Sequence, residues 1–189
     1  MKLLDLTAES PVEGPMHKAR SGTHIQAPAS LIPGGKNLGE FPLDSFMVQA
    51  VLLDVTSKAG QQVDDEDLEA AEERAGLSLR EGEAAILHTG WGDSTSTRAG
   101  HYAYLSENGA EFLEFKRPSM VATDAPSLDA TGNDQGQPAH SVLMRAEILV
   151  LENLRNLGMV QESRFRLIAF PLIVNGSASP VRAVAVLEG

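Results

Sequence analysis

The sequence predicts an α/β or α+β domain, and three observations carry that reading. Short apolar runs rich in β-branched residues recur along the chain, stand at both of its ends, and are interspersed with a few helical patterns. The 189 residues show no internal repeat. They also contain no linker long enough to divide them, so residues 1–189 are expected to form one domain with a real hydrophobic core.

Taken in order, "KLLDL" (2–6) reads as a first short strand. Residues 7–45 carry many Gly, Pro and Ser and few periodic apolar positions, and are read as mostly loop. "FMVQAVLLDV" (46–55) has the length and β-branched content of a buried strand. "DDEDLEAAEERAG" (64–76) is a helix, with Asp residues suited to its N-cap and dipole and Gly76 suited to its C-terminal cap. "EAAILHT" (83–89) is a strand that runs into the turn "GWGD". "SENGAEFLEF" (106–115) opens on a capping-compatible Ser and stops short of Pro118, as a helix does. "SMVATD" (119–124) reads as a strand leading into a loop over 125–138. "AHSVLMRAE" (139–147) fits a short helix and "ILVLEN" (148–153) a buried strand. The chain closes with "RFRLIAFPLIV" and "SPVRAVAVL", read as two strands joined by the turn "NGSA".

Composition excludes several function classes. Apolar residues make up 42% and charged residues 22%, the balance of a folded globular protein. Acidic residues outnumber basic ones 26 to 15, for a formal charge of -11, so the surface repels nucleic acid and anionic membranes. The chain has no cysteine, which rules out disulfides, zinc–thiolate sites and a cysteine nucleophile and suits a reducing cytosol. "MKLLDLTAES" lacks the apolar core of a signal peptide, and no run approaches the roughly 20 apolar residues of a membrane span. A cytoplasmic location is expected.

Five histidines are the first candidates for chemistry: His17, His24, His88, His101 and His140. His88 sits in an apolar strand before a turn and reads as a packed or hydrogen-bonded side chain. His101 beside Tyr102, and Trp91 after a turn glycine, could line a substrate pocket; surface and core packing are the competing readings. His24 lies in "RSGTHIQAPAS" (20–30), where Gly22, Thr23 and Pro28 imply an irregular backbone that holds a side chain in place. Neutral imidazole is a good ligand for zinc or manganese, but the local carboxylate that would complete such a site is absent and Gln26 offers only an amide oxygen. On spacing alone a structural loop histidine ranks ahead. His140 opens a helix and Glu152 closes the following apolar strand, so both can point to the same end of a sheet. A carboxylate in that position needs a partner or solvent.

In this order, these pieces resemble the cyclase family that includes bacterial kynurenine formamidase and isatin hydrolase. The family pattern His-x-Gly-Thr-His-x-Asp-x-Pro-x-His is matched by Arg20-Ser-Gly22-Thr23-His24-Ile-Gln26-Ala-Pro28-Ala-Ser30. Similar blocks follow in family order: "LHTGW" (87–91), "TDAPSLD" (123–129), "QPAHSVLM" (137–144), "LVLENLRNL" (149–157) and "FPLIVNGSASPVRAVAV" (170–186). The resemblance implies a swivelling β/β/α domain with a central mixed sheet and a few flanking helices, assembled as a homodimer or higher homo-oligomer. It implies amide hydrolysis with a bound divalent metal, ligands at 20, 24, 26, 140 and 152, and a catalytic histidine at 30. The sequence keeps His24, His140 and Glu152 and departs at Arg20, Gln26 and Ser30. Arg20 has no lone pair for a metal, Gln26 removes a negative charge, and the Ser30 hydroxyl does not titrate near neutrality.

Three functions remain open on this basis. In the first, His24, His140 and Glu152 hold one zinc or manganese ion for hydrolysis of an aryl-formamide, cyclic amide or lactone, and serve as its catalytic set. In the second, no metal binds; the Arg20 guanidinium pairs with Glu152, and the site binds a small molecule or performs other chemistry. In the third, the chain is a non-catalytic subunit.

Overall fold

The computed structural model describes residues 1–8, 22–93, 102–132, 136–172 and 176–188. Its centre is four parallel strands, β3 (Met47–Asp54), β5 (Ala84–His88), β7 (Met120–Thr123) and β8 (Leu149–Glu152), paired in that order. Each step from one to the next passes through a helix: α1 (Asp65–Ala75), α2 (Glu107–Lys116) and α3 (Pro138–Arg145). These are the βαβ crossovers that parallel neighbours require. Antiparallel strands extend both sides: β9 (Arg164–Ile168), β11 (Val184–Leu187) and β1 (Lys2–Asp5) beyond β3, and β2 (His24–Gln26) and β10 (Ala178–Pro180) beyond β8. The result is a nine-stranded mixed sheet, with a separate two-stranded parallel pair, β4 (Gln62–Val63) and β6 (Tyr104–Leu105).

The central strands alternate which core they feed, as a period of two dictates. Val51, Leu53, Ala85, Val121 and Val150 pack with Leu68 of α1, Leu113 of α2 and Leu143 of α3. Ala50, Ile86, Met120, Ala122, Leu149 and Leu151 fill the opposite face with Ile25, Phe165 and Leu167. Among the described residues none of the three α-helices contributes to that second core, because the sheet curls onto itself. Only Val181, Arg182 and Ala183 separate β10 from β11, although six strands lie between them in the sheet order. So few residues reach about 10 Å, so the two ends of the sheet must lie side by side. Hydrogen bonds between the two ends close the seam: Arg155 N–H, just past β8, donates to the Leu6 carbonyl at 2.9 Å, and Ala8 N–H, just past β1, donates to Thr23 Oγ1 at 2.6 Å.

The sequence reading holds for α1, whose N-cap is Asp64 and whose Gly76 adopts φ 67° at the C-cap, and for α2, where Ser106 accepts from Gly109 N–H. It fails in two places. Within residues 7–45, of which 9–21 lie outside the described residues, the mostly-loop reading misses His24–Gln26, a fully buried strand; three residues are too few to show a period. The two closing strands are not a simple pair about a turn. The first ends at Ile168, before a Pro at 171 that cannot donate to a ladder. The second is two strands on opposite sides of the seam, with Ala178–Pro180 against β2 and Val184–Leu187 between β9 and β1. Asn175 of the expected turn lies outside the described residues.

Candidate active site

Two neighbouring strands and one helix bring the predicted residues together. In the β2–β8 ladder His24 lies directly opposite Glu152, and Gln26 opposite Val150. His24 and Gln26 are two residues apart and so face the same side of the strand. His140 enters from the first turn of α3, the helix that delivers the chain into β8. All four side chains are buried.

Glu152 is the hub. Its Oε1 accepts from Leu128 N–H at 2.9 Å and lies 3.2 Å from His140 Nε2. Its Oε2 accepts from Gln26 Nε2 at 2.8 Å and lies 3.2 Å from His24 Nε2. The Gln26 amide nitrogen is also 3.3 Å from His140 Nε2. Both imidazoles are anchored through their other nitrogen. His24 Nδ1 is 2.9 Å from the Gly22 carbonyl, which can only accept, so Nδ1 carries a proton. His140 Nδ1 is 2.5 Å from Asp129 Oδ2.

That anchoring exposes a conflict. With its proton on Nδ1, a neutral His24 turns the Nε2 lone pair toward a carboxylate. The atoms are close, yet His24 Nε2 has no hydrogen-bond partner among the described residues, and neither does the buried Gln26 Oε1. A cation among these acceptors would remove the conflict. Two imidazole nitrogens and one carboxylate, with a neutral amide oxygen nearby, suit zinc or manganese. The residues present therefore fit one divalent ion.

Burial pushes the His140 imidazole toward its neutral form, but the Asp129 and Glu152 carboxylates outweigh it and hold its pKa up at about 9. Burial likewise pushes the Glu152 carboxyl up, but the His140 and His24 imidazoles win and bring it down to about 2. Metal-free, the site thus keeps a protonated His140 between two carboxylates.

Asp129 went unseen as a separate site residue in the sequence. Its Oδ1 accepts from Ala139 N–H at 2.9 Å and its Oδ2 from His140 N–H at 3.2 Å, so it caps α3 from ten residues upstream. The available signal was the weak start of that helix, whose adjacent Gln137 makes no side-chain cap. Tyr102 donates its hydroxyl to the Asp129 carbonyl at 2.9 Å, and the Trp91 ring packs edge-on against Tyr102 at 5.6 Å. Trp91 is thereby connected to the site through two residues. Ser30 donates to Met144 Sδ at 3.3 Å, one turn of α3 beyond His140. Arg20, His17 and His101 lie outside the described residues.

A second acidic cluster sits at the ends of β5 and β7. Ligand atoms of His88, Asp93 and Asp124 lie within 4.8 Å of one another. His88 is hydrogen-bonded, its Nε2 2.9 Å from Asp93 Oδ2. The fully buried Asp124 accepts from Thr89 N–H, Thr89 Oγ1 and Gly92 N–H at 2.8, 2.7 and 2.9 Å. These donors use most of its lone pairs, and its visible work is to hold the turn that carries Trp91.

The Cyclase family model matches residues 11–130, more than half of the chain. The chain belongs to the Cyclase family. This cyclase-family chain is 34% identical over 166 residues to kynurenine formamidase of Salinibacter ruber, covering 87% of its own length and 74% of the relative's. It is 31% identical over 169 residues to kynurenine formamidase of Bordetella petrii, covering 86% and 74%. Its fold matches that of isatin hydrolase A from Labrenzia aggregata bound to benzyl benzoate, with TM-score 0.82 and 21% identity over 97% of this chain and 93% of that one. A potential metal-dependent hydrolase with cyclase activity gives TM-score 0.81 and 24% identity over 97% and 96%. The swivelling β/β/α expectation, with its central mixed sheet and flanking helices, is thus correct. Among the described residues no helix is long and apolar enough to cross a membrane.

Proposed function

We propose that this cyclase-family chain is a metal-dependent hydrolase of a small aryl-formamide, cyclic amide or lactone. One zinc or manganese ion would be held by His24, His140 and Glu152. The observation that carries the reading is the convergence of His24 Nε2 and His140 Nε2 on one carboxylate, each at 3.2 Å. The kinship with kynurenine formamidases supports the substrate class. When bound, the ion supplies Lewis acidity toward water and the scissile carbonyl.

The chain's own residues set the rest. Gly22 and Asp129 orient the two imidazoles, and Leu128 N–H and the Gln26 amide fix the two oxygens of Glu152. Gln26 adds no charge, so the set has the single carboxylate of a one-ion centre. Trp91 and Tyr102 form an aromatic pair suited to flank a ring-bearing substrate. Ser30 cannot take a proton as a neutral base would, so turnover should fall below that of a site with a histidine there by about 10²–10⁴. The chain is proposed to act as a single domain assembled into a homodimer or higher homo-oligomer, which light scattering on the purified protein checks.

A second reading has its own support. The Gln26 amide donates to Glu152, and a protonated His140 balances the same carboxylate without a metal. In that case the chain binds a small molecule or serves as a non-catalytic subunit, with Arg20 as a further partner for Glu152. One experiment separates the two: elemental analysis after zinc or manganese supplementation, alongside formamide, isatin and lactone hydrolysis. The Arg20→His, Gln26→Asp, Ser30→His triple variant is the comparison. Stoichiometric metal and turnover in the wild type support the hydrolase; metal in the variant alone overturns it.

A further inference from the structure

We propose that Asp129 is a positioning residue that decides which imidazole nitrogen of His140 faces the site. The inference deepens the hydrolase reading, since a histidine binds a metal only through a nitrogen without a proton.

The geometry around His140 is unequal. Its Nδ1 meets a carboxylate oxygen at 2.5 Å, and the same oxygen accepts from the backbone N–H of His140 at 3.2 Å. The other oxygen of Asp129 is committed to Ala139 N–H at 2.9 Å. A carboxylate offers only acceptors here, so Nδ1 must donate. When His140 is neutral its one proton therefore stays on Nδ1, and Nε2 points a bare lone pair toward Glu152 and Gln26.

Asp129 is itself held so that it cannot turn away. It is 3% exposed, and its own N–H donates to Ser127 Oγ at 3.2 Å. Its carbonyl accepts the Tyr102 hydroxyl at 2.9 Å. The residue before it, Leu128, donates its N–H to Glu152 Oε1 at 2.9 Å. One short loop segment therefore orients His140 through a side chain and Glu152 through a backbone amide. Spacing between histidines and carboxylates would not reveal such a residue, because it touches the site only through another side chain.

The test uses the full chain, metal-free and zinc-loaded, with ¹⁵N-labelled histidine. Wherever its imidazole is neutral, wild-type His140 should show its proton on Nδ1 and a bare Nε2. Asp129→Asn keeps a residue type that caps helices well. It supplies one oxygen where two are used, so Nδ1 loses its guaranteed acceptor. His140 should then populate the form protonated on Nε2, and zinc affinity, measured by competition with a chelating dye, should fall about 10–100-fold. A purely structural cap would lower only the melting temperature. Wild-type His140 with its proton on Nε2 overturns the proposal, whether or not the variant folds. So does an Asp129→Asn protein with either an unchanged proton pattern or unchanged zinc affinity. If the wild type binds no zinc, the hydrolase reading falls and the proton pattern alone still decides the role of Asp129.

Discussion

His24 and Glu152 are cross-strand partners in the β2–β8 ladder, and their side chains meet with Nε2 3.2 Å from Oε2. A ladder register is a rigid constraint, since slipping by one residue would send His24 to the opposite face. The spacing of these two groups is thus set by backbone pairing, and His140 is the part delivered from outside the sheet.

Gln26 sits beside this pair with a neutral amide. Gln26→Asp adds a unit charge next to the proposed divalent ion, an attraction of about 4 kcal/mol at 4 Å for each unit of the ion's charge before desolvation. Even a third of that survives as about tenfold. Zinc affinity should therefore rise at least about tenfold in Gln26→Asp, read by isothermal titration calorimetry; an unchanged affinity would mean that position 26 does not face the ion.

Glu152→Gln keeps the shape of the hub and removes its charge. In the metal-free chain it leaves a protonated, buried His140 with one carboxylate where it had two. Stability should fall by about 3–5 kcal/mol at pH 6, the scale of a broken buried ion pair. The loss should shrink near pH 10, where His140 is neutral, and urea unfolding at the two pH values measures both.

The metal-free wild type should show a plateau of stability bounded by the same two groups. His140 titrates at about 9 when folded against 6.5 in the open chain, so its contribution is complete below pH 6.5 and disappears as pH rises through 9. Glu152 titrates at about 2 against 4.5, so its contribution is complete above pH 4.5 and disappears as pH falls through 2. Melting temperature should therefore peak between pH 4.5 and 6.5. Saturating zinc should displace the His140 proton and extend the plateau upward.

Gly92 is confined. A Cβ there would lie 2.5 Å from the Leu154 carbonyl oxygen and 2.8 Å from Asp124 Cβ. Gly92→Ala should cost about 1–3 kcal/mol and shift the turn that carries Trp91. Trp91 is the only tryptophan of the chain, so its fluorescence emission reports that shift directly.

Much of the scaffold was legible because its signals are local. Asp64 and Gly76 frame α1, Ser106 caps α2, and the apolar runs at β3, β5 and β8 are long enough to be recognised. What sequence could not reveal depends on contacts between distant segments. Strand β2 exists because β8 and β10 flank it, and nothing within His24–Gln26 announces it. The division of the last strand follows from the curl of the sheet, which no local pattern encodes. His24, His140 and Glu152 were singled out through motif order, while Asp129 touches the cluster only through His140 and left only a poorly capped helix start as a trace.

Thr23, the residue before His24, receives Ala8 N–H and donates its hydroxyl to the Asn153 carbonyl, both at 2.6 Å, while its own carbonyl accepts from Val181. It works as a clasp that joins three segments, and the clasp to Asn153 spans 130 residues of chain. Contacts of such sequence separation must offset the entropy of closing the long loops between them. The proposed ligand set therefore depends on contacts that only the complete fold supplies, so that a partly folded chain has the individual imidazoles but no pocket in which to use them.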